Sequence, residues 1–164
     1  RIVRVFDMGE IENHEHFMRE ALKEAEKAVT MDEVPIGAVV VKEGVILARG
    51  HNLRETSQKS TAHAEIIAIE NACEVLGTWR LEGCTLYVTV EPCPMCAGAM
   101  IQSRIERVVY GASDNKTGAH VSNINVFSGE FNHKVEVIPN ILAEESTARL
   151  KKFFSALRSK KNHV

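Results

Sequence analysis

Two short stretches, His63-Ala64-Glu65 and Pro92-Cys93-Pro94-Met95-Cys96, constrain this chain more than anything else in it. Between them they hold one imidazole, one carboxylate and two thiols in a pattern that suits a metal. Zinc takes thiolate and imidazole ligands, and a catalytic zinc keeps three protein ligands so that water can occupy the fourth place. His63, Cys93 and Cys96 supply three, and any fold the chain adopts must bring them together. Cys93 and Cys96 are spaced i, i+3 and share a face if helical. Pro92 suits a helix start, where its missing N–H costs nothing. A helix N-terminus also favours thiolate over thiol. His63 and Glu65, two apart, would point in different directions in mid-helix. Both reach one metal if it sits beyond the N-terminal end of their helix.

A structural zinc site needs a fourth ligand, normally from a second pair of Cys or His. Cys73 and Cys84 form no such pair, and His51, His120 and His133 are isolated. The catalytic reading is therefore the stronger one. Two thiolates and a neutral imidazole cancel the charge of Zn²⁺, and a water bound there loses a proton near neutrality. Glu65 is then the catalytic group and not a ligand. A carboxylate beside that water can accept its proton and deliver it to a substrate nitrogen and a departing amine. That is the proton traffic of hydrolytic deamination.

The rest of the chain supplies a frame for this site. Residues 12–30 carry Phe17, Ala21, Leu22, Ala25 and Ala28 at helical period. Ile36 to Val41 and Val45 to Ala48 flank Glu43-Gly44 and read as a hairpin. Leu53 to Ser60 is polar and read as loop. Thr61 is the expected N-cap of the His63/Glu65 helix, which Gly77 closes. Thr85 to Val90, Arg107 to Tyr110 and Val135 to Ile138 are expected strands, and Gly111 to Gly129 a long loop. Trp79 is expected to pack near the core. A final helix, Ala143 to about Lys161, carries Leu150, Phe153, Phe154 and Leu157 as its apolar stripe. The order α-β-β-α-β-α-β-loop-β-α predicts a three-layer α/β/α fold with a mixed, roughly five-stranded sheet. The ligands then fall at the carboxyl edge of that sheet, where open α/β folds bind ligands.

At 164 residues, with 45% hydrophobic and 26% charged residues, the whole chain 1–164 is expected to be one domain. No apolar stretch is long enough to span a bilayer. Arg1 to Asp7 has basic residues but no apolar core, so a signal peptide is not expected. Met8 is the expected natural start, with residues 1–7 non-native or disordered. Four cysteines, two committed to metal, suit a reducing cytoplasm. A net charge of −2 does not announce nucleic-acid binding. The tail does more: Arg149, Lys151, Lys152, Arg158, Lys160 and Lys161 lie beyond the last acid of the chain. On charge alone a solvated helix face is the plainer reading, and a phosphate-contacting helix the functional one.

The two halves H-x-E and P-C-x-x-C form the signature of zinc nucleobase deaminases. Nearly the whole chain resembles the bacterial tRNA-specific adenosine deaminases of the cytidine-deaminase-like superfamily. The resemblance is carried by Glu33-Val34-Pro35-Ile36-Gly37-Ala38, by Thr61 to Glu65, by the run LYVTVEPCPMCAGAMIQSRIERVVYGASDNKTG from Leu86 to Gly118, and by Phe153-Phe154 with Leu157-Arg158. It implies a cytoplasmic homodimer, one Zn²⁺ per subunit on His63, Cys93 and Cys96, and conversion of the wobble adenosine of an arginine tRNA to inosine, with Glu65 as proton shuttle. It implies that Asn52 contacts the flipped nucleoside and that Ile36, Ala64, Glu91 and Pro92 shape the base pocket. Lys116 and the C-terminal helix, through Arg149, Lys151, Lys152, Phe154 and Arg158, would hold the anticodon stem-loop. After Gly118 the chain reads Ala119-His120-Val121-Ser122-Asn123-Ile124, where the family runs through small residues to Ser-Leu. Pro94 is shared with free-base deaminases, so a guanine or cytosine deaminase is the alternative enzyme. A non-catalytic zinc-stabilised RNA-binding module is the third reading.

Overall fold

The computed structural model describes residues 8–162; residues 1–7, expected to be non-native or disordered, lie outside the described residues. The chain runs α1 (Met8–Val29), β1 (Gly37–Lys42), β2 (Val45–His51), α2 (Arg54–Ser57), α3 (Ala64–Leu76), β3 (Cys84–Val90), α4 (Pro94–Gln102), β4 (Arg107–Ala112), β5 (Glu136–Ile138) and α5 (Ala143–Lys161). The five strands form one sheet in the order β2-β1-β3-β4-β5. β1 runs antiparallel to both neighbours, while β3, β4 and β5 are mutually parallel. The sheet is mixed, as expected, because the hairpin reverses direction and the helical crossovers do not.

Alternation along the strands sorts the core into two layers. Ala38, Val40, Leu86, Val88, Val108 and Tyr110 face α3 and α4. Val39, Val41, Tyr87 and Val109 face the other way and pack on Phe17, Met18 and Ala21 of α1. β3, buried at every position, lies at the centre. No helix among the described residues is long and apolar enough to cross a membrane.

Two glycines set how closely the helices approach. A Cβ at Gly37 would fall against the Ala21 carbonyl and Ala25 amide of α1, and one at Gly50 would lie 2.5 Å from the Ala64 carbonyl oxygen. Gly50 therefore lets the first turn of α3, and with it the His63-Ala64-Glu65 segment, sit directly on β2.

Several sequence expectations shift. Residues 53–60 contain the short helix α2, whose amides are held by Glu33: Glu55 N–H and Thr56 N–H donate to its carboxylate at 3.1 and 2.6 Å. Thr61 is not the cap of α3; His63 is, and its side chain makes no capping bond because the ring is turned to the cysteines. α4 starts at Pro94, not Pro92, with Cys93 as N-cap. Trp79 is 55% exposed, with the guanidinium carbons of Arg80 and Arg104 4.6 and 5.6 Å from the ring centroid. The stripe of α5 is only partly covered: Phe154 and Leu157 are each 39% exposed.

Candidate active site

The site forms where β2 and β3 end and α3 and α4 begin. Both helices direct their N-termini at it, with His63 and Cys93 in the N-cap positions and Cys96 in the first turn of α4. His63 Nδ1 lies 3.6 Å from Cys93 Sγ and 3.6 Å from Cys96 Sγ. All three donor atoms fall within 4.8 Å of one another, the one such metal-binding cluster among the described residues. The separation is diagnostic. With Zn–S about 2.3 Å and Zn–N about 2.05 Å, two corners of a tetrahedron stand about 3.6 Å apart. The residues present therefore fit a tetrahedral zinc with three protein ligands, and the fit uses Nδ1 of the imidazole.

The electrostatics suit a cation. The Cys93 thiol is lowered to about 4, first by its hydrogen bond with Cys96, then by His63, with burial opposing both. His63 is raised, chiefly by its hydrogen bond with Cys93. Two helix N-termini aimed at the same point add to the preference for thiolate. Glu65, one residue into the first turn of α3, is 4% exposed. Burial pushes its carboxyl up to about 7, with the nearby Cys93 sulfur adding to the rise.

Beside this cluster a cavity of about 190 Å³ opens to solvent. His63, Ala64, Glu65 and Cys93 line it together with Ile36, Asn52 and Glu91. Pro92 and Cys96 lie behind the surface, buried; the Pro92 carbonyl accepts the Ala119 N–H at 2.9 Å. Asn52 is pinned by two backbone groups: its Oδ1 accepts the Arg54 N–H at 3.1 Å, and its Nδ2 donates to the Val34 carbonyl at 3.5 Å. Sequence reasoning missed Val34, Arg54, Val90, Asp114 and Thr117, which complete the lining. Asp114 and Thr117 stood inside the quoted motif around Lys116. Val34 and Val90 stood inside the two longer motifs around Ile36 and Glu91, and only Arg54 carries no local signal beyond its nearness to Asn52.

Asp114 builds the turn that follows. Its carboxylate accepts the Lys116 N–H at 3.0 Å, the Thr117 N–H at 3.2 Å and the Thr117 hydroxyl at 2.8 Å. Lys116 is thereby placed in a second, open cleft of about 420 Å³, which it lines with Thr147, Leu150, Lys151, Phe154 and Arg158 of α5. Arg149 and Lys152 lie on the opposite side of α5, in a groove against α1, where Arg149 Nε pairs with Glu26 at 2.7 Å. The structure thus brings four of the six basic or aromatic candidates into one cleft and puts the other two elsewhere.

The chain matches the family model of MafB19-like deaminases over residues 12–158. It is 57% identical over 148 residues to the tRNA-specific adenosine deaminase of Bacillus subtilis, covering 90% of this chain and 92% of that one. A solved structure from work on A-to-I editing by tRNA:A34 deaminases at the wobble position superposes with a TM-score of 0.80 at 48% identity, over 82% of this chain and 99% of the other. A guanine deaminase from Bacillus subtilis gives a TM-score of 0.58 at 36% identity, over 73% and 87%. By sequence along nearly its full length and by fold, the chain belongs to the tRNA-specific adenosine deaminase family.

Proposed function

We propose that this protein is a zinc-dependent hydrolase that converts adenosine to inosine at the wobble position of a tRNA anticodon. The observation that carries the reading is the cluster of His63, Cys93 and Cys96, with His63 Nδ1 3.6 Å from each sulfur and the buried Glu65 lining the same cavity. Zinc held by His63, Cys93 and Cys96 would supply Lewis-acid activation of a water. Glu65 takes one proton from the attacking water and delivers it to N1 of the adenine ring, then takes the proton of the new hydroxyl on C6 and delivers it to the leaving amine. The C6–N bond breaks, ammonia departs, and oxygen remains on C6. Ile36, Ala64 and Val90 offer apolar contact to the base, and Asn52, immobilised by its backbone partners, orients the nucleoside.

The second cleft supports RNA over a free base. Lys116, Lys151 and Arg158 supply cations around Phe154, a combination that grips phosphates and stacks an unpaired base. Because Asp114, Lys116 and Thr117 share one turn, this cleft adjoins the catalytic cavity. An anticodon loop presents its bases already unpaired, so extruding one costs less than from a duplex. The family resemblance supports an arginine tRNA as the substrate, and it and the cysteine usage support the cytoplasm as the compartment. The resemblance also supports a homodimer, for which the small-residue surface of α4 is a suitable seat: a Cβ at Gly98 would meet nothing within 4 Å.

The test is to offer the purified enzyme an anticodon stem-loop with adenosine at the wobble position and, separately, free adenine, adenosine, cytosine, cytidine and guanine. Inosine in the RNA with inert small molecules is the expected result. Turnover of a free base with an inert stem-loop would move the protein to nucleobase salvage.

A further inference from the structure

Between Asp114 and Ser122 a single buried carboxylate gathers much of the loop. Glu91, at the end of β3, is 3% exposed and lies at the wall of the catalytic cavity. Its carboxylate is occupied by protein. Oε1 accepts the Asp114 N–H at 3.1 Å and the Ser122 hydroxyl at 2.5 Å. Oε2 accepts the N–H groups of His120, Val121 and Ser122 at 2.9, 3.0 and 3.2 Å. The loop closes so tightly on it that a Cβ at Gly118 would come within 2.4 Å of Glu91 Cδ. The far side is fastened separately, by the Tyr110 hydroxyl and His120 Nδ1 at 2.9 Å. Charge-assisted bonds of this kind are among the strongest available to a loop.

The segment wound on Glu91 starts with the Asp114 turn. That turn puts Asp114 and Thr117 on the rim of the catalytic cavity and Lys116 in the basic cleft of α5. We propose that Glu91 is a positioning residue: its carboxylate gathers the 114–122 loop into the wall shared by the base pocket and the RNA cleft, and so sets how tightly the enzyme grips its RNA, not how fast it deaminates. The Ser122 hydroxyl is the side-chain half of this latch. The inference rests on the proposed RNA substrate.

The experiment compares wild type, Glu91→Gln, Ser122→Ala and Ser122→Thr on the wobble-adenosine stem-loop, measuring KM, the single-turnover rate at saturating RNA, and zinc content. Losing one charge-assisted bond to a buried carboxylate corresponds to about a tenfold change in an equilibrium. Ser122→Ala is expected to raise KM about tenfold and Ser122→Thr to restore it, with zinc content and the saturating rate of both within about twofold of wild type; Glu91→Gln is expected to raise KM further than Ser122→Ala, with wild-type zinc content. Should Glu91→Gln fail to fold, Ser122→Ala and Ser122→Thr decide alone. A fall in the saturating rate at constant KM would put Glu91 at the reacting atoms and overturn the proposal, as would unchanged KM in Ser122→Ala. An inert wild type would instead refute the RNA reading itself.

Discussion

Gly50→Ala tests the route by which the sheet positions the catalytic helix. Gly50 lies on β2 under the first turn of α3, and the added methyl would stand 2.5 Å from the Ala64 carbonyl oxygen, 2.8 Å from the Ala68 nitrogen and 3.1 Å from the Ile67 Cβ. Two of these atoms are backbone, so no side chain can swing aside. Restoring an ordinary contact of about 3.5 Å requires roughly 1 Å of separation between β2 and the start of α3. Overpacking of this size costs about 1–3 kcal/mol of stability. The functional loss should be larger, because Ala64 is flanked by His63 and Glu65. A displacement of about 1 Å moves Nδ1 out of its corner and the carboxylate away from the reacting carbon, which corresponds to roughly 100-fold in rate. Zinc content, thermal unfolding and the single-turnover rate on the stem-loop would be measured together. A Gly50→Ala protein with wild-type zinc content and a rate within about twofold of wild type would refute the claim that this contact sets the site.

Other perturbations separate the parts of the account. Cys93→Ala should lose the metal and all turnover, read by metal analysis of the purified protein. A chelator should lower the melting temperature of the wild type, because ions bound only to the folded state stabilise it. Glu33→Ala leaves the Glu55 and Thr56 amides without their carboxylate and should cost about 1–3 kcal/mol in denaturant unfolding; because α2 carries Arg54 and follows Asn52, KM for RNA should rise with it. Glu20 is held down to about 2, first by its hydrogen bond from Arg49 and then by Lys23. A depressed carboxyl contributes stability that is complete above its unfolded value near 4.3 and is lost as pH falls through about 2. Glu20→Gln should therefore weaken the protein by about 1 kcal/mol at neutral pH and by only a small fraction of that at pH 2, which denaturant melts at the two pH values would show.

Much of the site was legible because its chemistry is written in short spacings. H-x-E and P-C-x-x-C specify donors and a carboxylate whatever surrounds them, and the alternating apolar strands place both at one sheet edge. Local rules failed where the site itself overrode them. Thr61 has the better capping side chain, yet His63 ends up at the cap, with its ring turned to the cysteines instead. Pro92 resembles a helix start, but the first turn of α4 begins two residues later so that Cys93 sits at its mouth. The loop from Asp114 to Ser122 has no periodicity to read, since its order comes from two carboxylates, its own Asp114 and Glu91 just past β3. Arg149 and Lys152 show a limit of charge counting: a basic run does not say which side of the helix faces the substrate, and the structure divides it between two grooves.

The central claim is that one buried carboxylate carries the protons at a three-ligand metal centre that it does not itself hold together. Glu65→Ala on the wobble-adenosine stem-loop, with zinc content measured on the same preparation, addresses it most directly. The account predicts as much zinc as in the wild type and a single-turnover rate lower by at least about 100-fold. Turnover at the wild-type rate would contradict it.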